Sequence, residues 1–209
     1  MIVLPRLYPI LDAGCFTNVS GLVLAAQELA DAGVTLLQYR NKSGHAGVML
    51  EQAQELLRQT RARASASRMR LIMNDRADLC LDAEFDGVHV GQDDLSPEAA
   101  RAIVGPDRWL GVSTHNPEQL READLTSADY LAIGPVFSTT SKESPDPVVG
   151  LECVRRARAL TRKPLVAIGG ITRANVASVI EAGADSVAVI SDLIREPRKS
   201  AEEFLRILR

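Results

Sequence analysis

The sequence predicts an α/β protein folded as a single-domain (β/α)8 barrel, the TIM-barrel architecture, over residues 1–209. Three observations carry the prediction. Short apolar runs alternate with longer helix-patterned stretches eight times along the 209 residues, the signature of a parallel sheet with crossover helices. Some runs, such as Leu165-Val166-Ala167-Ile168, are apolar at every position, as strands covered on both faces require. The approach to the strands also repeats weakly, as Asp31-Ala32-Gly33-Val34, Asp86-Gly87-Val88, Ser127-Ala128-Asp129-Tyr130 and Ala182-Gly183-Ala184-Asp185. Glycine and small residues suit the left-handed turn that ends a helix, and Asp suits the turn into a strand.

The elements are read in order. A first strand over Leu7–Asp12 is followed by a helix over 20–32, which the Asp31–Val34 turn closes. The second strand, Leu36–Arg40, leads through the glycine-containing segment Asn41–Gly47, a candidate lid, into a helix over 45–64. Strand three, Leu71–Asp75, precedes a helix over 76–83, and strand four, Gly87–Val90, precedes one over 97–104. Strand five, Trp109–Ser113, is followed by a helix over 117–124. Strand six is expected over Tyr130–Phe137, then a long loop, Ser138–Gly150, rich in Ser, Thr and Pro, then a helix over 151–161. Strand seven, Leu165–Gly170, a helix over 173–182, strand eight, Ser186–Asp192, and a helix over 198–208 complete the pattern. No linker or low-complexity segment divides it, and eight βα units make a compact barrel.

Composition narrows the function classes. The chain is 46% hydrophobic and 24% charged, with 27 acidic and 24 basic residues, so a broad basic nucleic-acid surface is not expected. The start, Met1-Ile2-Val3-Leu4-Pro5-Arg6, lacks the basic and long apolar segments of a secretory signal. No apolar run approaches the roughly 18 residues that cross a membrane. Cys15, Cys80 and Cys153 are far apart and form no Cys-x-x-Cys pair, which suggests neither zinc nor a redox dithiol. Cys80 and Cys153 are read as small core residues on helices. Reduced thiols fit a cytoplasmic enzyme, and a homo-oligomer is compatible with the sequence.

The polar residues fall at the C-terminal ends of the expected strands, where barrel chemistry sits. Gln38, Arg40 and Lys42 alternate at the end of strand two, so their side chains share one face. Unpaired buried charge is costly, so this cluster points to an anionic ligand. Asn74-Asp75 ends strand three, His89 leads into Gly91-Gln92-Asp93-Asp94, and Ser113 ends strand five with His115 just beyond. Strand six runs into Gly134–Lys142, strand seven into Gly169-Gly170, and strand eight into Ile190-Ser191-Asp192. Each has a plainer reading. Asp75 and Asp94 are also good helix caps, His89 a satisfied core histidine, Lys142 a solvated loop cation, and Gly169-Gly170 a turn. Taken together, Asp75 and Asp94 supply the one or two carboxylates that Mg²⁺ takes while keeping water and phosphate ligands. Arg40, Lys42 and Lys142 supply cations for a pyrophosphate. Gly170 and Ser191, in the loops after strands seven and eight, form the common barrel phosphate site. Two phosphorylated substrates, one of them losing pyrophosphate, is a transferase arrangement.

At these residues the sequence resembles the thiamine-phosphate synthase (thiamine-phosphate pyrophosphorylase) family over nearly its whole length. The matching stretches are Gln38-Tyr39-Arg40-Asn41-Lys42, Asn74-Asp75-Arg76, Gly87–Asp94, Gly111-Val112-Ser113-Thr114-His115, Gly134–Lys142 and Ile168-Gly169-Gly170-Ile171. The resemblance implies a Mg²⁺-dependent alkyl transferase of thiamine biosynthesis. Its substrates would be hydroxymethylpyrimidine diphosphate and hydroxyethylthiazole phosphate, its products thiamine phosphate and pyrophosphate. Carried over by position, Arg40, Lys42, Asn74 and Lys142 would bind pyrophosphate, and Asp75 and Asp94 the metal. Gln38 and Ser113 would contact the aminopyrimidine, and Thr139, Gly170, Ile190 and Ser191 the thiazole phosphate. Lys142, Arg40 and Ser113 would be the catalytic groups. One departure is Thr139-Thr140-Ser141-Lys142 where the family often has Thr-x-Thr-Lys; Ser141 keeps the hydroxyl and loses a methyl. Two alternatives stand beside this. A thiazole tautomerase on the same fold need not keep the pyrophosphate ligands, all of which this chain retains. A non-catalytic binder of thiamine precursors would need neither both carboxylates nor three cations.

Overall fold

In a computed structural model of the chain, which describes residues 2–62, 69–139 and 146–209, eight parallel strands close into a barrel in chain order. They are β1 (Leu7–Asp12), β2 (Leu36–Arg40), β3 (Arg70–Asn74), β4 (Gly87–Val90), β5 (Trp109–Thr114), β6 (Tyr130–Ile133), β7 (Leu165–Ile168) and β8 (Ser186–Val189). The barrel shuts where β1 pairs with β8, with Leu7 opposite Val187 and Pro9 opposite Val189. The helices outside it are α1 (Val19–Asp31), α2 (Ala46–Ala62), α3 (Ala77–Asp82), α4 (Pro97–Val104), α5 (Pro117–Asp124), α6 (Gly150–Leu160), α7 (Val176–Glu181), α8 (Ser191–Ile194) and α9 (Pro197–Ile207).

Strand alternation explains the unbroken apolar runs. Tyr8, Ile10, Leu36, Ile72, Tyr130, Ala132, Val166 and Ala188 fill the barrel. Their neighbours Leu7, Leu11, Leu37, Leu71, Leu131, Ala167 and Val187 pack outward against the helices. Both faces are buried, so the strands are apolar along most of their length. Each fully buried large side chain contributes roughly 1.5–3 kcal/mol. Helix starts follow local chemistry: Asn18, Ser96 and Asn116 accept backbone N–H bonds from Gly21, Ala99 and Gln119, and Pro97 and Pro117 occupy first turns that need no donor.

The repeated Asp at the strand approaches has a concrete task. Asp86, Asp129 and Asp185 accept the backbone N–H of Leu71, Leu110 and Leu165 at 2.8–2.9 Å, each on the preceding strand. Arg101 and Arg158 then bridge to Asp129 and Asp185 at 2.6 Å. This end of the barrel is knitted for stability.

Several expected boundaries move. Strand six ends at Ile133 rather than Phe137, because Pro135 has no N–H for the ladder; Val136 and Phe137 still donate to the carbonyls of Ile168 and Gly169. Strand seven stops at Ile168, where Gly169 and Gly170 take φ of +99° and +63°. Strand eight stops at Val189, and Ser191 opens the short helix α8, which the sequence pattern missed. The helix expected over 173–182 begins only at Val176, because Thr172 N–H is held by the Asn175 side chain and Arg173 N–H by Asp192. The end of the helix expected over 45–64 lies outside the described residues. Cys80 is buried on α3 as expected, whereas Cys153 on α6 is half-buried. Among the described residues no helix is long and apolar enough to cross a membrane.

Candidate active site

The C-terminal rim of the barrel opens into one pocket that gathers most of the expected residues. Gln38, Arg40, Asn74, Ser113, Thr139, Gly170, Ile190 and Ser191 all line it, with His89, His115 and Asp146. Ser141 and Lys142 lie outside the described residues.

Arg40 and Asp12 sit directly opposite each other at the ends of β2 and β1, and the guanidinium donates to the Asp12 carboxylate. Asp12 also accepts from Gly14 N–H at 3.0 Å. Asp12 was not anticipated. The signal was there, a carboxylate ending a strand on the same rim, but register is needed to know what it faces.

Lys42 Nζ lies 2.5 Å from Asp75 Oδ2. Asp75 takes the left-handed region at φ +63° and donates its N–H to His89 C=O at 2.7 Å. It caps no helix: the residue at the start of α3 is Arg76, and it makes no side-chain cap bond. Asp94 is not a helix cap either. It accepts Gly91 N–H at 2.8 Å and closes the loop ahead of α4, whose cap is Ser96. Burial, with Asp94 beside it, pushes the Asp75 carboxyl up to about 6 against the opposing pull of Lys42. Two like charges pressed together, one of them desolvated, form a site that a cation stabilises. Carboxylate oxygens suit a hard divalent ion. Asn74 Nδ2, buried and without a partner among the described residues, is an N–H donor suited to an acceptor oxygen. The donor set therefore fits Mg²⁺ held by two carboxylates.

The floor of the pocket is a row of hydrogen bonds. Gln38 Nε2 donates to Tyr8 Oη at 2.9 Å, and Tyr8 Oη lies 2.9 Å from Tyr130 Oη. Tyr130 Oη lies 3.1 Å from His89 Nδ1, and His89 Nε2 lies 2.8 Å from Ser113 Oγ. His89 is thus a satisfied interior histidine that also lines the pocket. Burial depresses its ring to about 4, and burial raises both phenols. Across the pocket His115 Nδ1 meets Gly134 C=O at 2.7 Å, with Asp146 Oδ2 at 3.5 Å.

On the far side, Gly169 and Gly170 carry the chain past the loop after β6. A Cβ at Gly170 would lie 2.4 Å from Ser138 C=O and 2.8 Å from Phe137 Cβ. The need for glycine here therefore arises first from close approach to the protein's own backbone. Asn175 Nδ2 holds Gly170 C=O at 3.0 Å, and Ser191 sits at the start of α8 beside it.

Fold and rim together define a class, a (β/α)8 barrel whose C-terminal mouth pairs a carboxylate–cation cluster with a glycine-bounded loop after β7. The comparisons narrow it. A family model described as thiamine monophosphate synthase matches residues 7–193. The thiamine-phosphate synthase of Koribacter versatilis is 60% identical over 208 residues, 98% of this chain and 96% of that protein. That of Methanosarcina mazei is 35% identical over 97% of this chain and 82% of its own length. The solved thiamine phosphate pyrophosphorylase from Pyrococcus furiosus superposes with a TM-score of 0.84 at 33% identity, covering 97% of this chain and 95% of that one. The chain belongs to the thiamine monophosphate synthase family.

Proposed function

We infer that the chain is a thiamine-phosphate synthase of thiamine biosynthesis, acting as one catalytic domain over residues 1–209. It joins hydroxymethylpyrimidine diphosphate to hydroxyethylthiazole phosphate and releases pyrophosphate. The observation that carries this reading is the cluster of Asp75, Asp94 and Lys42 in the loops just beyond β2, β3 and β4, with Arg40 at the end of β2. That set matches a metal–pyrophosphate leaving group, and kinship to synthases along almost the whole chain supports it.

Asp75 and Asp94 would hold Mg²⁺, which when bound neutralises charge on the departing pyrophosphate. Arg40 and Lys42 would bind the pyrophosphate, as would Lys142 from the resemblance of the sequence. Their positive charge counts most as the C–O bond breaks and negative charge collects on the leaving group. Gln38 and Ser113 hold the aminopyrimidine, whose electron-rich ring spreads the positive charge left on the methylene. Thr139, Gly170, Ile190 and Ser191 hold the thiazole phosphate so that the ring nitrogen faces that carbon. The protein's contribution is positioning and fixed electrostatics. Three free cysteines accord with a reducing, cytoplasmic setting.

Incubation with both substrates and Mg²⁺ tests the reading directly. Thiamine phosphate and pyrophosphate should form in equal amounts. Isomerisation of a thiazole phosphate without pyrophosphate release would instead make the chain a tautomerase, and tight binding of the substrates without turnover a binder.

A further inference from the structure

The row of hydrogen bonds beneath the pocket has a direction, and the direction is dictated from one end. Tyr8 is 1% exposed and Tyr130 0%, and neither lines the pocket, so each phenol finds its partners within the row. Gln38 Nε2 donates to Tyr8 Oη. The Tyr8 proton therefore goes to Tyr130 Oη, its remaining neighbour in the row. The Tyr130 proton cannot return along the same contact, so it goes to His89 Nδ1. A neutral imidazole that accepts at one nitrogen donates at the other, which places the ring proton on Nε2, facing Ser113 Oγ. An imidazolium would donate at both nitrogens and leave the Tyr130 proton with no acceptor in the row. Gly111 on β5 makes the row possible: a Cβ there would lie 2.1 Å from Tyr130 Cζ and 2.4 Å from His89 Nδ1.

We infer that Tyr8, Tyr130 and His89 are positioning residues that set the polarity of the pocket, making it offer a hydroxyl donor at Ser113 and a carbonyl acceptor at Gln38. This rests on the synthase reading for its ligand, the aminopyrimidine. An amino-substituted pyrimidine edge presents an N–H donor beside a ring-nitrogen acceptor; the oxo counterpart presents the reverse. The relay thus selects the 4-amino over the 4-oxo ring, at a distance from the bond that breaks. A mismatched buried donor or acceptor costs about 1–3 kcal/mol, on the order of ten- to hundredfold in affinity.

Two measurements test it. In the first, ¹⁵N spectra of histidine-labelled protein, assigned with His89→Gln, report the His89 tautomer without any substrate. Wild type should show the Nε2–H form, since Tyr130 has His89 as its acceptor. Tyr130→Phe should show a mixture. An Nδ1–H ring in wild type, or an unchanged tautomer in Tyr130→Phe, overturns the inference. In the second, calorimetry with Mg²⁺ compares hydroxymethylpyrimidine diphosphate with its 4-oxo analogue. Wild type should prefer the amino form by about tenfold or more, and Tyr130→Phe should lose most of that preference. Equal weakening of both ligands, or no preference in wild type, overturns it and marks the relay as packing alone. If Tyr130→Phe fails to fold, the wild-type tautomer and preference decide. Absence of thiamine phosphate formation counts against the synthase reading and leaves the tautomer result to stand or fall separately.

Discussion

Asp75 illustrates how a single residue ties function to instability. Its carboxyl is raised from 3.8 to about 6 by burial and by Asp94. The native state therefore holds the Asp75 proton more tightly than the unfolded chain does. Its contribution to stability is full below about pH 4 and is lost as pH rises through about 6. Asp75→Asn should accordingly melt higher than wild type in metal-free buffer at neutral pH. The gap should shrink as pH is lowered toward 4, as scanning calorimetry across that range would show. The same substitution, and Asp94→Asn, should cut the rate at fixed Mg²⁺ by about tenfold or more, because each removes a charged oxygen ligand. Superimposable Mg²⁺ titrations for wild type and both variants would sink the metal assignment.

At the scale of elements, the two ends of the barrel are built for different purposes. Asp129 bridges the Leu110 N–H on β5 and the Arg101 guanidinium on α4, at the end remote from the pocket. Asp129→Ala leaves the Leu110 N–H without its acceptor and takes the counter-charge from Arg101, which keeps only its backbone carbonyl partners. It should cost on the order of 1–3 kcal/mol in denaturant unfolding, with kcat per folded molecule unchanged. The loop after β7 behaves oppositely. Gly170→Ala forces a Cβ to within 2.4 Å of Ser138 C=O at a positive φ, so it should lower both Tm and affinity for the thiazole phosphate. Ser191→Ala removes an exposed hydroxyl at the start of α8 and should weaken the thiazole phosphate at unchanged Tm. Calorimetry of each variant with each substrate separates the cases. A Ser191→Ala protein that binds the thiazole phosphate like wild type would remove that residue from the site.

The whole molecule couples these parts through closure. The proposed metal–pyrophosphate site draws on the end of β2 and the loops after β2, β3 and β4, so ligand bound there would link elements that separate only when the barrel opens. Binding to the native state alone stabilises by about 2.7 kcal/mol at a hundredfold excess over Kd. For a chain of this size that is roughly 5–10 °C in Tm. Pyrophosphate with Mg²⁺ should give a shift of this order, and either alone a much smaller one, in a thermal melt. Equal shifts for pyrophosphate with and without Mg²⁺ would argue that Asp75 and Asp94 serve only each other and Lys42.

The sequence by itself determined the barrel, its strand count and the rim on which the polar residues gather. Those follow from local facts, because apolar periodicity, small-residue turns and alternation along a strand are written in consecutive residues. Gln38, Arg40, Asn74 and Ser113 could be placed at the pocket for the same reason. Only the tertiary structure decided what each of them faces. Asp12 opposite Arg40 depends on the register between β1 and β2. Asp75 beside Asp94 depends on two loops meeting. The relay from Gln38 to Ser113 joins residues of five strands, with Gly111 leaving the gap it crosses. Hydrogen-bond direction and charge compensation are properties of neighbours in space, and closure of the sheet is what makes those residues neighbours.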